Sequence, residues 1–310
     1  MTSPASGTTS TESRRLSGNV LGMVTMTAAM GCFCFNDAFV KLVGPSLPIA
    51  QIITIRGLFA FLILAPLALW FGVLRYVPQL IQVPVLMRVL GETSATGLFL
   101  LGLMNMPFAE ANSVLQFTPL AVTAASAVFL RERVGWRRWL AAMIGLIGVV
   151  MIIRPGTGAF SWYSLPLFGS VLCVVVRDLG TRQITTGIPT LLLATLSSVS
   201  VTVFGLGLSL FEPWRAPDQA GLMHLLGAAV FLVMGYFTST IALRTGEISA
   251  VAPFRYSVVL FAIGTGYAIW GEVPDRWTVL GVMIVAAAGL YTFHRERRLR
   301  VRSSNSEPAA

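Results

Sequence analysis

The sequence predicts an all-α membrane protein of ten transmembrane helices, arranged as two inverted halves of five. Three observations carry this expectation: apolar runs long enough to cross a bilayer, arginines gathered on one side of those runs, and an internal repeat. Of the 310 residues, 55% are hydrophobic and only 11% charged, whereas a soluble domain carries about 25% charged residues. The mean hydropathy is +0.77, and the apolar residues gather into runs of about 20. At about 1.5 Å per helical residue such a run spans a hydrocarbon core of about 30 Å. Continuous runs are unlike the alternating segments of about 10 residues in a membrane barrel, so the spans are helices that satisfy their own backbone groups. This composition excludes a soluble enzyme, a secreted disulfide scaffold and a single-span receptor. No polar block is long enough to form a large extramembrane domain.

Along the chain, residues 1–17 are Ser/Thr-rich, contain Arg14 and Arg15, and are expected to be a disordered cytoplasmic tail. The run 18–43 is too long for the apolar region of a signal peptide and is expected to be an uncleaved first span. Further spans are expected near 48–71, 86–106, 111–130, 136–153, 162–182, 187–211, 221–243, 248–270 and 275–294. Turn residues separate them: Gly44-Pro45, Pro78, Pro107, Arg154-Pro155-Gly156, Pro213, Gly246 and Pro274. The halves are 18–155 and 156–294, and 295–310 is expected to be a basic cytoplasmic tail.

The net charge of +9 reflects orientation and not nucleic-acid binding, since Lys and Arg concentrate in cytoplasmic loops. With the N-terminus inside, fifteen arginines fall in cytoplasmic segments, among them Arg75, Arg88, Arg131, Arg137, Arg244 and Arg295. The outer loops hold only Lys41, Arg154, Arg215 and Arg276. Both termini are therefore expected to be cytoplasmic, which requires an even number of spans. The three cysteines, Cys32, Cys34 and Cys173, all lie inside apolar runs, which argues against a disulfide framework and a thiolate metal site.

The repeat overlays CFCFNDAFVK (32–41) on CVVVRDLGTR (173–182). Asp37 then meets Asp178 and Lys41 meets Arg182, while Glu132 meets Glu272 at the ends of the fourth and ninth spans. Halves with an odd number of spans must lie in opposite orientations, an architecture of secondary transporters with the substrate near the midplane. The segment AEANSVLQFTPL (109–120) running into VFLRERVGWRRWLAAMIGLIGVVMIIRP (128–155) resembles the drug/metabolite transporter superfamily. So do its counterparts ISAVAPFRYS (248–257) and GEVPDRWTVLG (271–281). The resemblance is to the ten-span branch built from two EamA domains and covers residues 18–294. Within it, the first two spans look most like the branch that includes bacterial riboflavin importers. The resemblance therefore implies transport of a small molecule across a bacterial inner membrane, with riboflavin uptake as the first substrate to test. Export of amino acids or other metabolites is the alternative, followed by a non-transport intramembrane enzyme.

Ionisable groups inside a membrane are functional candidates because burying each one costs at least about 2.5–3.5 kcal/mol. Glu92, about six residues into the third span, either faces a substrate or proton or pairs with an arginine. Arg56 either binds an anionic group or pairs with Asp37 or Glu92. Pro119 and Pro253 each free a carbonyl about one turn earlier. They place Asn112 and Gln116 in the fourth span, and Arg255 and Tyr256 in the ninth, beside opened backbone. Tyr236, Tyr256 and Tyr267 lie deep enough in their spans to stack on a planar ligand, and Phe254 offers a further aromatic face. Asp37 with Lys41, and Asp178 with Arg182, are spaced i, i+4 and are expected to form structural ion pairs along their helices. No nucleophile–base set, metal-spaced cluster or phosphate-binding loop is present. No enzyme activity, metal or cofactor is expected. The expected partners are a small-molecule substrate and the lipid bilayer, with the chain a monomer or homodimer.

Overall fold

The computed structural model describes residues 8–129, 135–154, 161–184, 187–245 and 251–304. Its helices are α1 (Thr8–Val43), α2 (Ile49–Trp70), α3 (Val83–Asn105), α4 (Phe108–Leu115), α5 (Thr118–Phe129) and α6 (Trp136–Ile153). They continue with α7 (Ser164–Gln183), α8 (Thr190–Leu208), α9 (Gln219–Thr245), α10 (Ser257–Trp270) and α11 (Arg276–Ser304). Short 3-10 segments cover Val73–Leu80 and Ala252–Tyr256. Helix α1 starts at Thr8, within the stretch expected as a tail, and α11 runs on through the basic segment to Ser304. Glu132, Pro155, Gly156 and Gly246 lie outside the described residues.

Six helices are long and apolar enough to cross a membrane: α1 from Gly18, α2, α3, α7, α8 and α9. Two more carry shorter apolar stretches, Trp139–Ile153 in α6 and Arg276–Tyr291 in α11. The fourth expected span is interrupted, and proline explains the break. Pro119 cannot donate to the carbonyl of Leu115, and its ring crowds that carbonyl. Helix α4 accordingly stops at Leu115 and α5 starts at Thr118. Between them Gln116 and Phe117 donate to carbonyls only three residues back, at 3.1 Å each. Pro253 sits in the 3-10 turn that leads into α10.

The strongest helix pairings are α1 with α9, α3 with α7, α2 with α8, and α6 with α11, with α4 also packed on α10. Number the helical stretches one to ten, taking α4–α5 as the fourth and the 3-10 turn with α10 as the ninth. Exchanging n with n+5 then leaves this pairing pattern unchanged. The pairing is thus symmetric between the two halves.

Small residues let the paired helices approach closely. A Cβ on Gly281 of α11 would lie 2.6 Å from the carbonyl oxygen of Gly148 in α6, and one on Gly148 would lie 2.8 Å from that of Gly281. In the α2–α8 crossing, a Cβ on Gly205 would lie 2.7 Å from the Thr54 amide nitrogen. Gly281→Val is thus expected to force α6 and α11 apart and to destabilise the protein by about 2 kcal/mol. The check is a melting curve in detergent, with Leu280→Val at the exposed neighbouring position as control.

Side chains away from the pairings, including Leu62, Met143, Val203 and Leu260, are more than half exposed and form an apolar outer surface. Trp70, Trp162 and Phe211 are exposed at or beside helix ends, where interfacial aromatic belts place such rings.

Candidate functional site

A cavity of about 390 Å³ lies between the two halves, within the range of about 300–1,000 Å³ typical of small-molecule sites. Its walls come from α1, α2, α3, α4 and the start of α5 in the first half, and from α7, α8, α9, the 3-10 turn and the start of α10 in the second. Glu92, Arg56, Asn112, Gln116, Tyr236 and Arg255 all line it, as does Asp37. The cavity reaches Met26, Leu243 and Arg255, toward the end of the bundle where most arginines lie.

The charges in the cavity are unequally committed. Glu92 accepts from Arg177 Nη1 at 3.0 Å through Oε2, and from the Tyr236 hydroxyl at 3.0 Å through Oε1. Both carboxylate oxygens are therefore held by protein. Arg177 also donates through Nε to Asp178 at 2.9 Å. The same local arrangement recurs in the first half, where Asn36 Nδ2 donates to Asp37 at 2.8 Å. Arg56 is only 6% exposed, its Nε has no hydrogen-bond partner among the described residues, and Glu92 pairs with Arg177 in its place.

Neither expected i, i+4 pair is among the ion pairs of the described residues. Asp178 pairs with Arg177, and Arg182 Nη1 donates to Ser126 Oγ of α5 at 2.9 Å. Lys41 reaches across to Glu272 at 3.0 Å. A lysine or arginine side chain is long enough to reach a neighbouring helix, and an interhelical partner there prevails over the one on its own helix surface. Tyr256 also departs from expectation. It does not line the cavity but faces α11, where a Cβ on Gly289 would fall on its hydroxyl. The aromatic rings at the cavity are Phe33, Phe99 and Tyr236. Tyr236 meets Phe33 edge-on at 5.6 Å between centroids while its hydroxyl holds Glu92.

The end of the bundle opposite the arginines is tied shut. Lys41 Nζ bonds Glu272 and the Met106 carbonyl, the latter at 2.8 Å, and lies 4.9 Å from the Trp270 ring centre. Glu272 also accepts the backbone N–H of Phe108, and Phe108 stacks on Trp270 at 5.2 Å. Val40, Leu103, Phe108 and Leu167 are fully buried at this end. A second tie joins Arg154, the C-cap of α6, to Asp275 and Thr278 at the start of α11, and Thr278 donates to Glu110 at 3.3 Å. Asp275 lies in the loop, and the hydrogen bond from Arg154 pulls its carboxyl down from 3.8 to about 2. A depressed carboxylate contributes above its ordinary pKa and is lost as pH falls through the folded value. This tie therefore holds at any pH above about 4. Beyond Lys41 lies a second depression lined by Lys41, Asn105, Glu212, Arg215 and Trp270. Helix α1 thus presents Asp37 to the cavity and, one turn on, Lys41 to the outer depression.

Arg177 and Asn36 are the site residues that sequence reasoning missed. The repeat held the signal, since residue 36 overlays residue 177, directly before the matched aspartates.

Two stretches of the chain, residues 20–154 and 161–293, match the EamA-like transporter family. The chain belongs to that family, which is one of transporters. It is 24% identical over 268 residues to the S-adenosylmethionine uptake transporter of Rickettsia prowazekii, covering 85% of this chain and 89% of that one. It is 26% identical over 278 residues to the pseudopaline exporter CntI of Pseudomonas aeruginosa, covering 86% and 94%. To the riboflavin transporter of Vibrio cholerae it is 25% identical over 201 residues, covering 64% and 67%. A solved crystal structure 18% identical in sequence shares the fold, with a TM-score of 0.62 over 92% of this chain and 99% of that one.

Proposed function

We propose that the protein is a secondary transporter that moves a small organic metabolite across the bacterial inner membrane by alternating access. The observation that carries this reading is a charged cavity lined by both halves and closed at one end by Lys41 and Glu272. Exchanging the roles of the halves would open the closed end and close the open one, which is how inverted repeats alternate around a fixed site. All ten helical stretches cross the membrane in this reading, with both termini cytoplasmic, as the one-sided arginines favour. The form described is then inward-open. A reporter fused after Ser304 should be active in the cytoplasm, and a periplasmic readout would remove this topology.

The relatives' names span uptake and export, so they support a transporter and leave its direction open. Riboflavin is supported by a relative that matches 64% of the chain, while the S-adenosylmethionine relative matches 85%. The test is counterflow of labelled riboflavin and S-adenosylmethionine in proteoliposomes preloaded with the same compound or with an amino-acid mixture. Transient accumulation above protein-free vesicles is expected for at least one compound. No accumulation for any would remove the transport reading.

A further inference from the structure

Two of the most buried polar side chains on the cavity wall have unmet hydrogen-bonding capacity of opposite kinds. Among the described residues, Arg56, on α2, has no partner for its Nε and is 6% exposed, and Asn36, on α1, has no partner for its Oδ1 and is 3% exposed. The side-chain amide of Asn36 cannot simply be turned over, because its Nδ2 donates to Asp37 and an oxygen there would face a carboxylate. Among the described residues, Asp37 itself is tied by a side chain only through that amide. It lines the same cavity as Arg56, yet no ion pair joins them among the described residues. Buried polar groups are nearly always satisfied, and an uncompensated buried charge is costly. The other charged groups at this depth cannot serve, since Glu92, Arg177 and Asp178 are already bonded to one another and to Tyr236.

Resting on the transporter reading, we propose that the cavity takes an amino-acid-type zwitterion. Its carboxylate lies on the Arg56 guanidinium, and its ammonium lies between Asn36 Oδ1 and the Asp37 carboxylate. Guanidinium pairs with carboxylate and phosphate alike through parallel N–H donors. The acidic neighbours decide between the two. A phosphate dianion would sit close to Asp37 and Glu92 and be repelled, whereas a zwitterion places its own cation against Asp37. A neutral flavin would leave the guanidinium charge without a counter-charge. Arg255 also lines the cavity and is exposed, and it can draw the anionic end inward from the cytoplasmic side.

The test uses the full chain in proteoliposomes loaded with three pools, with retained solutes identified by mass spectrometry. One pool holds the twenty protein amino acids and S-adenosylmethionine, the second the corresponding α-carboxamides, and the third riboflavin. The wild type is expected to carry at least one zwitterion, and its carboxamide at least tenfold less. Arg56→Gln is expected to lower that flux at least tenfold, and Arg56→Lys to restore part of it, with melting temperatures recorded for both. If a variant does not fold, the comparison of acid with carboxamide in the wild type decides. Equal carriage of acid and carboxamide, or carriage of riboflavin alone, would overturn the zwitterion while leaving the transporter. No carriage from any pool by folded protein would overturn both.

Discussion

Glu92→Gln is expected to lower thermal stability and transport together. The substitution keeps the shape of the side chain but removes the charge that holds Arg177 Nη1 and accepts the Tyr236 hydroxyl. Arg177 is then left with Asp178 alone. Breaking a buried pair from one side costs about 3–5 kcal/mol. The Arg177 and Glu92 side chains are 23% and 13% exposed, so a loss of about 2–3 kcal/mol is expected. Because the same bonds tie α3, α7 and α9 together around the cavity, flux should fall at least tenfold. The double variant Glu92→Gln with Arg177→Gln should regain part of the lost stability, since it removes the orphaned charge. Lost transport at unchanged melting temperature would show instead that Glu92 serves substrate or proton directly.

Lys41→Gln is expected to loosen the closed end. It removes the ion pair to Glu272 and weakens the bond to the Met106 carbonyl. Hydrogen bonds of charged groups contribute about 1.5–3 kcal/mol each. Losing about 2 kcal/mol from the inward-open form alone would raise the outward-open population roughly 30-fold, as long as that form is still the minor one. Since apparent affinity scales with the competent fraction, the half-saturating concentration for substrate added from outside should fall by a similar factor. Lys41→Arg, which keeps the charge, should change it little. An unchanged value for Lys41→Gln would mean that the buried side chains at this end, Phe108 and Leu103 among them, close it without the ion pair.

Much of this architecture is legible in the sequence because its causes are local. Twenty apolar residues in a row demand a helix in lipid, and Pro119 and Pro253 mark the break between α4 and α5 and the 3-10 turn before α10 from chain order alone. The repeat at 32–41 and 173–182 anticipates the exchange symmetry of the helix pairing. The ion pairs are not legible in the same way. Lys41 and Glu272 are 231 residues apart, and Arg177 and Glu92 are 85 apart. Spacing along one helix suggests Asp37 for Lys41, but a partner across a helix crossing can be reached only once the helices are placed. Tyr256 is misread for a related reason. Sequence puts it beside Pro253 and Arg255, while the rotation of the 3-10 turn carries Arg255 to the cavity and Tyr256 against Gly289. Asn36 shows the converse: its position before a repeated aspartate is visible in the sequence, yet its burial and unmet acceptor arise only once the helices are packed.

Alternating access around this cavity is tested most directly from its two sides. Ser197 lines the cavity, is 7% exposed, and its hydroxyl has no partner among the described residues. Ser197→Cys, in a chain with Cys32, Cys34 and Cys173 replaced by alanine, gives one thiol there for a membrane-impermeant maleimide. The account predicts rapid labelling from the cytoplasmic face, slow labelling from the outer face, and outer-face labelling at least tenfold faster once Lys41→Gln is added. Labelling at equal rates from both faces, unchanged by Lys41→Gln, would contradict it.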